Sequence, residues 1–287
     1  MLDEWKGKRV LITGASRGIG AAVAKQLGAL GAHVAVHYHS SEAPAEAVAK
    51  AIRDAGGDAF TLKADVSHTS ETQKLVDDAA ERLGGLDLLI NNAGDMMGRV
   101  GLEEMDDDQY DRVMDLNVRS VVMASRAALP HFRRAGGGNI IHTTSIAARN
   151  GGGGGAGLYA SAKGFVSTIT RNMAKELAGD NIRVNAVAPG TIATDFHDRH
   201  SSEAHLNAAR ASIPMGRLGT SEECVGAYVF LGTETLSGYV TGQIIEVNGG
   251  QLMPRIARHL LNVKAVTTLR SPWAILPVLA RRSFAAP

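Results

Sequence analysis

Seven short runs of apolar and β-branched residues recur along the chain, separated by alanine-rich stretches in which apolar positions repeat every three or four residues. The short runs predict strands, and the alanine-rich stretches predict helices. We expect strands at residues 8–13, 33–38, 58–63, 86–91, 139–144, 182–187 and 243–247, and helices that include 20–30, 44–55 and 70–83. Strands that alternate with helices and are apolar on both faces predict an α/β fold, with a doubly wound, seven-stranded parallel sheet.

The alternating pattern continues without an internal repeat or a linker to about residue 250, so we expect residues 1–254 to form a single domain. Residues 255–287 differ, with six lysine and arginine residues and no acid. We expect this basic extension to be poorly ordered, because Pro272 and Pro277 interrupt any long helix. The alternatives are an arm for a partner, or a segment that lies on a membrane surface through Trp273.

Composition narrows the class of protein. Apolar residues make up 45% and charged residues 21% of the chain, which is ordinary for a globular protein. The single cysteine, Cys224, excludes an intrachain disulfide and favours a reducing, cytoplasmic location. We find no signal peptide and no apolar run of about 18 residues that would cross a membrane. Residues 1–254, without the basic extension, carry a net negative charge, which argues against nucleic-acid binding.

A glycine-rich segment follows the first predicted strand directly and precedes a predicted helix. Its sequence is Thr13-Gly-Ala-Ser-Arg-Gly-Ile-Gly20, and we call it the phosphate loop. Glycines allow a tight turn and close approach of the backbone to a pyrophosphate, while the helix N-terminus offers free N–H groups. The position of the loop, more than its glycines, predicts a Rossmann-type nucleotide site.

Two further motifs follow in order, Asn91-Asn92-Ala93-Gly94 and Tyr159-x-x-x-Lys163. Together with the phosphate loop they resemble the short-chain dehydrogenase/reductase family over about residues 6–252. Within it the chain looks most like the 3-oxoacyl-carrier-protein reductases and the related glucose dehydrogenases. The resemblance implies an NAD(P)-dependent oxidoreductase that moves a hydride between the nicotinamide and a carbonyl or secondary alcohol, in a homotetramer.

Tyr159 and Lys163 lie four residues apart on a predicted helix and therefore share a face. A nearby ammonium group is expected to lower the pKa of the tyrosine, so that Tyr159 exchanges a proton with the substrate oxygen. Ser145 follows the fifth predicted strand and would hold that oxygen, with Thr143 and Thr144 as alternatives for this role. The resemblance implies that Lys163 also reaches the nicotinamide ribose and that Asn117 holds a water in a proton relay.

The choice of cofactor depends on the end of the second strand, where NAD-binding members of this fold carry an acid for the ribose 2′-hydroxyl. This chain has His39 and Ser40 there, and Arg17 within the phosphate loop can pair with a 2′-phosphate. We therefore expect NADP(H) to be preferred and NAD(H) to be accepted, with Glu42 as the alternative partner of the ribose. The complete expected cofactor site is Gly14, Ser16, Arg17, Gly18, Ile19, Gly20, His39, Ser40, Asp65, Val66, Asn92, Ala93, Gly94, Tyr159, Lys163, Pro189, Gly190, Ile192 and Thr194.

Residues 194–217, which we call the flap, are expected to cover the substrate. The flap contains Phe196, His197, His200, His205 and Met215. The spacing of His197 and His200 is more typical of solvated side chains than of a metal site, and we predict no metal. A run of glycines at 151–155 predicts either a slack turn or a mobile edge of the substrate pocket. The rival to an enzyme is a non-catalytic nucleotide-binding sensor on the same fold.

Overall fold

Our computed structural model describes residues 2–253, so the basic extension at 255–287 lies outside the described residues. Residues Met1–Leu252 form one compact unit. It contains seven strands, β1 (Arg9–Ile12), β2 (His33–Tyr38), β3 (Asp58–Lys63), β4 (Leu88–Asn91), β5 (Gly138–Thr143), β6 (Ile182–Pro189) and β7 (Ile244–Val247). Each strand lies where the apolar pattern predicts it, with ends that differ by at most two residues.

The seven strands form one parallel sheet in the order β3-β2-β1-β4-β5-β6-β7. The order reverses at β1, which pairs with β2 on one side and β4 on the other, so that Val10 lies beside both Val34 and Leu88. The predicted doubly wound α/β fold is therefore confirmed. At such a reversal the loops after neighbouring strands diverge and leave a crevice at the carboxyl edge of the sheet.

Eleven α-helices connect and cover the strands within residues 2–253. They are α1 (Gly18–Ala29), α2 (Glu42–Asp54), α3 (Thr69–Leu83), α4 (Asp107–Met114), α5 (Ser120–Ala135), α6 (Ala147–Asn150), α7 (Gly157–Leu177), α8 (Asp195–His200), α9 (Glu203–Ser212), α10 (Ser221–Gly232) and α11 (Glu234–Ser237). A π-helical turn, Asp115–Arg119, joins α4 to α5. No helix in the described part of the chain is long and apolar enough to cross a membrane.

Side chains alternate between the two faces of the sheet and produce two separate apolar cores. On β1, Val10 and Ile12 pack with α1, α2 and α10, whereas Leu11 faces α3, α5 and α7. All three side chains are fully buried. Helices on both faces explain why three consecutive residues of β1 are all apolar and do not alternate with polar residues.

Candidate active site

A cavity of about 1050 Å³ lies at the carboxyl edge of the sheet, at the reversal of strand order, and we call it the central cavity. Almost every residue predicted to bind cofactor or substrate lines it. These residues are Gly14, Ser16, Arg17, Gly18, Ile19, His39, Ser40, Asp65, Val66, Asn92, Ala93, Gly94, Ser145, Tyr159, Lys163, Pro189, Gly190, Ile192 and Thr194. Gly20 and Asn117 are the two predicted residues that do not.

The phosphate loop is tied to the segment after β4 by hydrogen bonds. The Thr13 hydroxyl accepts the backbone N–H groups of Asn92 and Ala93, each at 3.0 Å. The Asn92 amide donates to the carbonyl of Gly14 at 2.9 Å. A Cβ on Gly20 would lie 2.5 Å from both that amide nitrogen and that carbonyl. Gly20 does not line the cavity, but its lack of a side chain allows the phosphate loop and α1 to approach the segment after β4.

A histidine that sequence reasoning missed holds the phosphate loop from the β2 side. His37 is buried, and its Nδ1 accepts the backbone N–H of Gly14 at 3.0 Å. Its Nε2 then carries the proton and donates to the carbonyl of Ala64 at 3.1 Å. Burial lowers the pKa of His37 to about 4, so the ring stays neutral and keeps one tautomer. In the sequence His37 is only one residue of the predicted strand β2, and nothing there indicates that it binds the phosphate loop.

The end of the cavity where the adenosine ribose of a dinucleotide would lie is lined by Arg17, His39, Ser40 and Ser41, with the carboxylates of Asp65 and Asp195 beside them. Arg17 projects from the phosphate loop and contacts the hydroxyl of Ser41, and its guanidinium lies 3.2 Å from Asp195. His39 and Ser40 also line this end, whereas Glu42 does not. The carboxylate nearest to His39 is that of Asp65, at 3.7 Å. A cation and polar donors, and no carboxylate from β2 or α2, therefore face this end.

Tyr159 and Lys163 lie one turn apart on α7 and both side chains face the central cavity. Lys163 is 2% exposed, donates from Nζ to the carbonyl of Thr143 at 3.0 Å and lies 5.6 Å from the centre of the Tyr159 ring. Burial lowers the pKa of Lys163 to about 8. The expectation for Tyr159 is wrong for this structure, since burial raises the pKa of its phenol above the usual value. The hydrogen bond from Ser145 opposes that rise, and the Asp95 carboxylate adds to it.

The hydrogen bonds of Thr143, Thr144 and Ser145 indicate which of their hydroxyl groups is available to a substrate oxygen. The Thr143 hydroxyl pairs with the Tyr228 hydroxyl at 2.8 Å, and the Thr144 hydroxyl donates to the carbonyl of Lys163 at 2.8 Å. Both threonines are thus occupied by structural partners. The Ser145 hydroxyl accepts the backbone N–H of Ala147 at 3.1 Å, which leaves its own proton free to donate, and it lies beside the Tyr159 hydroxyl in the cavity.

Asn117 lies in the π-helical turn between α4 and α5 and is fully buried. Its amide nitrogen donates to the carbonyls of Asp95 and Val113, while its Oδ1 has no partner within residues 2–253. A Cβ on Gly94 would lie 2.7 Å from that Oδ1 and 2.9 Å from Nζ of Lys163. The unpaired Oδ1 of Asn117 and the buried ammonium group of Lys163 therefore both lie next to Gly94.

The first part of the flap covers the central cavity, and its short helix α8 is fixed at both ends. Asp95, another residue that the sequence did not indicate, lies directly after the Asn-Asn-Ala-Gly motif and is largely buried. Its carboxylate accepts from Arg199 at 2.5 Å and pairs with Nε2 of His200 at 2.6 Å. Phe196 is thereby placed 5.5 Å from Tyr159, ring centre to ring centre.

Two expectations for the flap are corrected. His200 is not solvated, because its side chain is 10% exposed and pairs with Asp95. His197 is half-buried and hydrogen-bonds to Ser201 at 2.9 Å. Met215 does not line the central cavity and is 63% exposed. Only residues 194–209 of the flap border the cavity.

The residues present fit a nicotinamide dinucleotide. The phosphate loop places the N-terminus of α1 at the floor of the cavity, and Gly14 and Gly18 hold it in a turn with φ of 63° and 56°. Side chains at these positions would be strained, and one on Gly14 would also meet Ala93 at 2.9 Å. The half-buried Ser145 and Tyr159 and the buried Lys163 lie in the same cavity. The phosphate loop and the hydroxyl and ammonium groups of Ser145, Tyr159 and Lys163 therefore line one cavity.

Known proteins resemble the chain over nearly all of this unit. A family model described as enoyl-(acyl carrier protein) reductase matches residues 14–251. An uncharacterized oxidoreductase of Methylorubrum extorquens is 38% identical over 251 residues, which are 87% of this chain and 99% of the relative. The 3-oxoacyl-[acyl-carrier-protein] reductase FabG of Staphylococcus aureus is 37% identical over 246 residues, or 86% of this chain and 98% of the relative.

Solved structures show the same architecture with either nicotinamide cofactor. NADH-dependent reductase A1-R′, responsible for alginate metabolism, has a TM-score of 0.81 and 47% identity, covering 88% of this chain and all of that one. It has also been solved in complex with NAD. A short-chain dehydrogenase from Burkholderia cenocepacia in complex with NADP has a TM-score of 0.79 and 36% identity, covering 86% and 98%.

Proposed function

We propose that this chain, which belongs to the short-chain dehydrogenase/reductase family, catalyses reversible hydride transfer between NADP(H) and a ketone or secondary alcohol. The observation that carries the proposal is the convergence of Ser145, Tyr159 and Lys163 in the cavity that also contains the phosphate loop. A non-catalytic nucleotide sensor would have no need of a serine and a tyrosine placed beside a buried lysine.

In the reductive direction the bound cofactor would supply a hydride to the carbonyl carbon. Ser145 would donate a hydrogen bond to the substrate oxygen and hold it beside Tyr159. Because burial keeps the phenol of Tyr159 protonated, that hydroxyl would deliver the proton that the product alcohol requires. The Lys163 ammonium, with a pKa of about 8, would then supply the proton that returns the Tyr159 phenolate to the phenol. Phe196 covers the tyrosine ring and helps to exclude water.

The preference for NADP(H) rests on the polar end of the cavity. Arg17, His39 and Ser40 offer a cation and hydrogen-bond donors to a 2′-phosphate. Glu42, the rival partner for a ribose hydroxyl, does not line the cavity. The relatives use both cofactors, since A1-R′ is NADH-dependent and the Burkholderia enzyme was crystallised with NADP. We therefore propose NADP(H) as preferred and NAD(H) as tolerated.

Two classes of substrate are consistent with the relatives. A 3-oxoacyl thioester is the natural candidate from the likeness to FabG. A sugar-derived carbonyl is the second candidate, and the polar side chains of Arg99, Asn150 and His197 along the cavity wall favour it. We also propose a homotetramer, in which the α4–α5 region would contact other copies, and a cytoplasmic location, as the single cysteine suggests.

Initial rates with NADPH and with NADH test the proposal. The carbonyl panel would contain acetoacetyl-N-acetylcysteamine, keto sugars, quinones and small ketones. We expect turnover of at least one class with NADPH preferred, and we expect Arg17→Ala to lower the ratio of kcat/KM for NADPH to that for NADH by about tenfold to a hundredfold. Tight cofactor binding with no turnover of any carbonyl or alcohol would instead favour the sensor.

A further inference from the structure

One arginine in the wall of the central cavity has no counter-ion within residues 2–253. Three of the four arginines that line the cavity form ion pairs, Arg17 with Asp195, Arg112 with Asp108 and Arg199 with Asp95. The fourth is Arg99, which lies four residues after Asp95 and has no carboxylate within 4 Å in the described part of the chain. The described structure therefore holds a fixed positive charge at the cavity without neutralising it.

Backbone carbonyl groups hold the Arg99 guanidinium in place. Its Nε donates to the carbonyl of His200 at 2.6 Å, and its Nη1 donates to the carbonyl of Gly154 at 2.8 Å. These contacts join Arg99 to α8 on one side and to the glycine run on the other. Val100 adds a backbone hydrogen bond to Gly155 at 3.1 Å. The remaining N–H groups of Arg99, including both on Nη2, keep their capacity to donate.

Most of the acids that could compete for Arg99 are already paired. Asp95 is held by Arg199 and His200, and Asp195 by Arg17. On α4 and the π-helical turn, Asp108 pairs with Arg112 and Asp115 with Arg119. Asp111, also on α4, is the cavity acid without a basic partner in residues 2–253, and it lies more than 4 Å from Arg99.

The surroundings of Arg99 link it to the reacting end of the cavity. Arg99 and His197 both line the central cavity, and the positive charge of Arg99 contributes, after burial, to the lowered pKa of His197. His197 contacts Phe196 with 5.3 Å between ring centres, and Phe196 contacts Tyr159. A substrate whose carbonyl oxygen meets Ser145 and Tyr159 would thus extend along the flap toward Arg99.

We propose that the substrate of this enzyme is an oxo acid, whose carboxylate binds Arg99 while its carbonyl group lies at Ser145 and Tyr159. An arginine that is already oriented by two carbonyl groups presents its free N–H donors to a planar anion at little cost in conformational entropy. The carboxylate would also supply the counter-ion that the described residues do not. This inference rests on the proposed hydride transfer and narrows it to anionic carbonyl compounds.

Matched acids and neutral amides test the inference with NADPH as reductant. The pairs are acetoacetate with acetoacetamide, levulinate with levulinamide, and D-glucuronate with D-glucuronamide. We expect kcat/KM to favour the acid in at least one pair. Arg99→Gln should lower this acid-to-amide ratio by about tenfold to a hundredfold, as for loss of one charge-assisted contact. Arg99→Lys should restore part of the ratio, and Arg112→Gln, which removes a paired arginine of the same cavity, should leave it unchanged.

The ratio within each variant separates recognition from general damage. If Arg99 only braces the flap and the glycine run, Arg99→Gln will slow acid and amide equally, and the inference is wrong. A wild-type preference for the amides, or for neutral acetoacetyl-N-acetylcysteamine, also overturns it. Fluorescence titration of the enzyme–NADPH complex with glucuronate and glucuronamide decides the matter even without turnover. Equal affinity there contradicts the oxo-acid site, whereas absence of turnover alone contradicts the proposed function.

Discussion

At the scale of single residues, burial is the effect that prepares Tyr159 and Lys163 for their proposed roles. Both side chains lie in a low-dielectric pocket, which disfavours charge on each of them. The pKa of the phenol is therefore raised and that of the ammonium is lowered, to about 8. The sequence motif predicts the pairing of the two groups, but the depth of burial that sets their proton affinities depends on packing.

The lowered pKa of Lys163 predicts a pH dependence of reduction. Below about pH 8 the ammonium is protonated and can refill Tyr159, whereas above it the amine is neutral and the relay is interrupted. We expect kcat/KM for carbonyl reduction to be level up to about pH 8 and then to fall, approaching tenfold per pH unit. The measurement is initial rate against pH, with NADPH affinity measured over the same range as a control. A profile that stays level beyond pH 9.5 would contradict this role.

Several residues of the site carry no signal that sequence reasoning could use. The glycines of the phosphate loop belong to a spaced motif that predicts nucleotide binding. Tyr159 and Lys163 belong to one that predicts proton transfer. His37, Asp95 and Arg99 act through partners that are distant in sequence, such as Ala64 for His37 and His200 for both others. Such pairings arise only when the chain folds, so the residues could not be recognised from spacing alone.

At the scale of elements, α8 depends on side chains from other segments because it is too short to be stable alone. A helix of six residues lies far below the length at which isolated helices persist in water. Asp95 supplies a buried carboxylate to Arg199 and His200, and Arg17 pairs with Asp195 at the other end. One carboxylate outside the flap thus holds two of the six residues of α8.

Asp95→Asn tests this dependence. The amide removes the negative charge that holds Arg199 and His200, so α8 should open more often while Ser145, Tyr159 and Lys163 remain in place. We expect KM for the carbonyl substrate to rise by about tenfold with a smaller change in kcat, and proteolysis within 195–212 to accelerate. Arg217→Gln serves as the control, since its pair with Glu223 is exposed and outside the central cavity. An unchanged KM in Asp95→Asn would show that other contacts hold the helix.

At the scale of the whole molecule, the N-terminal turn is joined to the far end of the described chain. Trp5 is fully buried, and its Nε1 donates to the Thr233 hydroxyl at 3.1 Å. A Cβ on Gly232 would lie 2.4 Å from the indole, and Glu4 accepts the backbone N–H of Glu234 at 2.8 Å. Residues 2–5 therefore complete the core beneath α10 and α11.

The consequence for stability is measurable with two variants of one residue. Trp5→Ala leaves a large cavity and should lower the free energy of unfolding by about 3–5 kcal/mol. Trp5→Phe keeps most of the apolar volume and loses the hydrogen bond to Thr233, so it should cost about 1–2 kcal/mol. Denaturant unfolding followed by circular dichroism gives both values. Because Trp5 does not line the central cavity, kcat of the folded protein should change little, and a large loss of kcat would contradict this separation.

Sequence patterns predicted the architecture of the molecule more completely than its site. Apolar runs located all seven strands, since parallel strands buried on both faces leave a strong signal, and the phosphate loop located the crevice. The π-helical turn at Asp115–Arg119, by contrast, has no signal in the apolar pattern. The expectation of a poorly ordered extension at 255–287 stays a prediction, as those residues lie outside the described part of the chain.

The central claim, hydride transfer assisted by Tyr159, is tested most directly with NADPH that carries deuterium at both C4 positions of the nicotinamide. We expect wild-type enzyme to place one deuterium on the carbinol carbon of the product alcohol, as measured by mass spectrometry. Tyr159→Phe should bind NADPH normally and lose about a hundredfold to ten-thousandfold in kcat, the range for a general acid, while Tyr239→Phe, at a fully exposed tyrosine, should behave as wild type. Product that forms without deuterium, or undiminished turnover by Tyr159→Phe, would contradict the account.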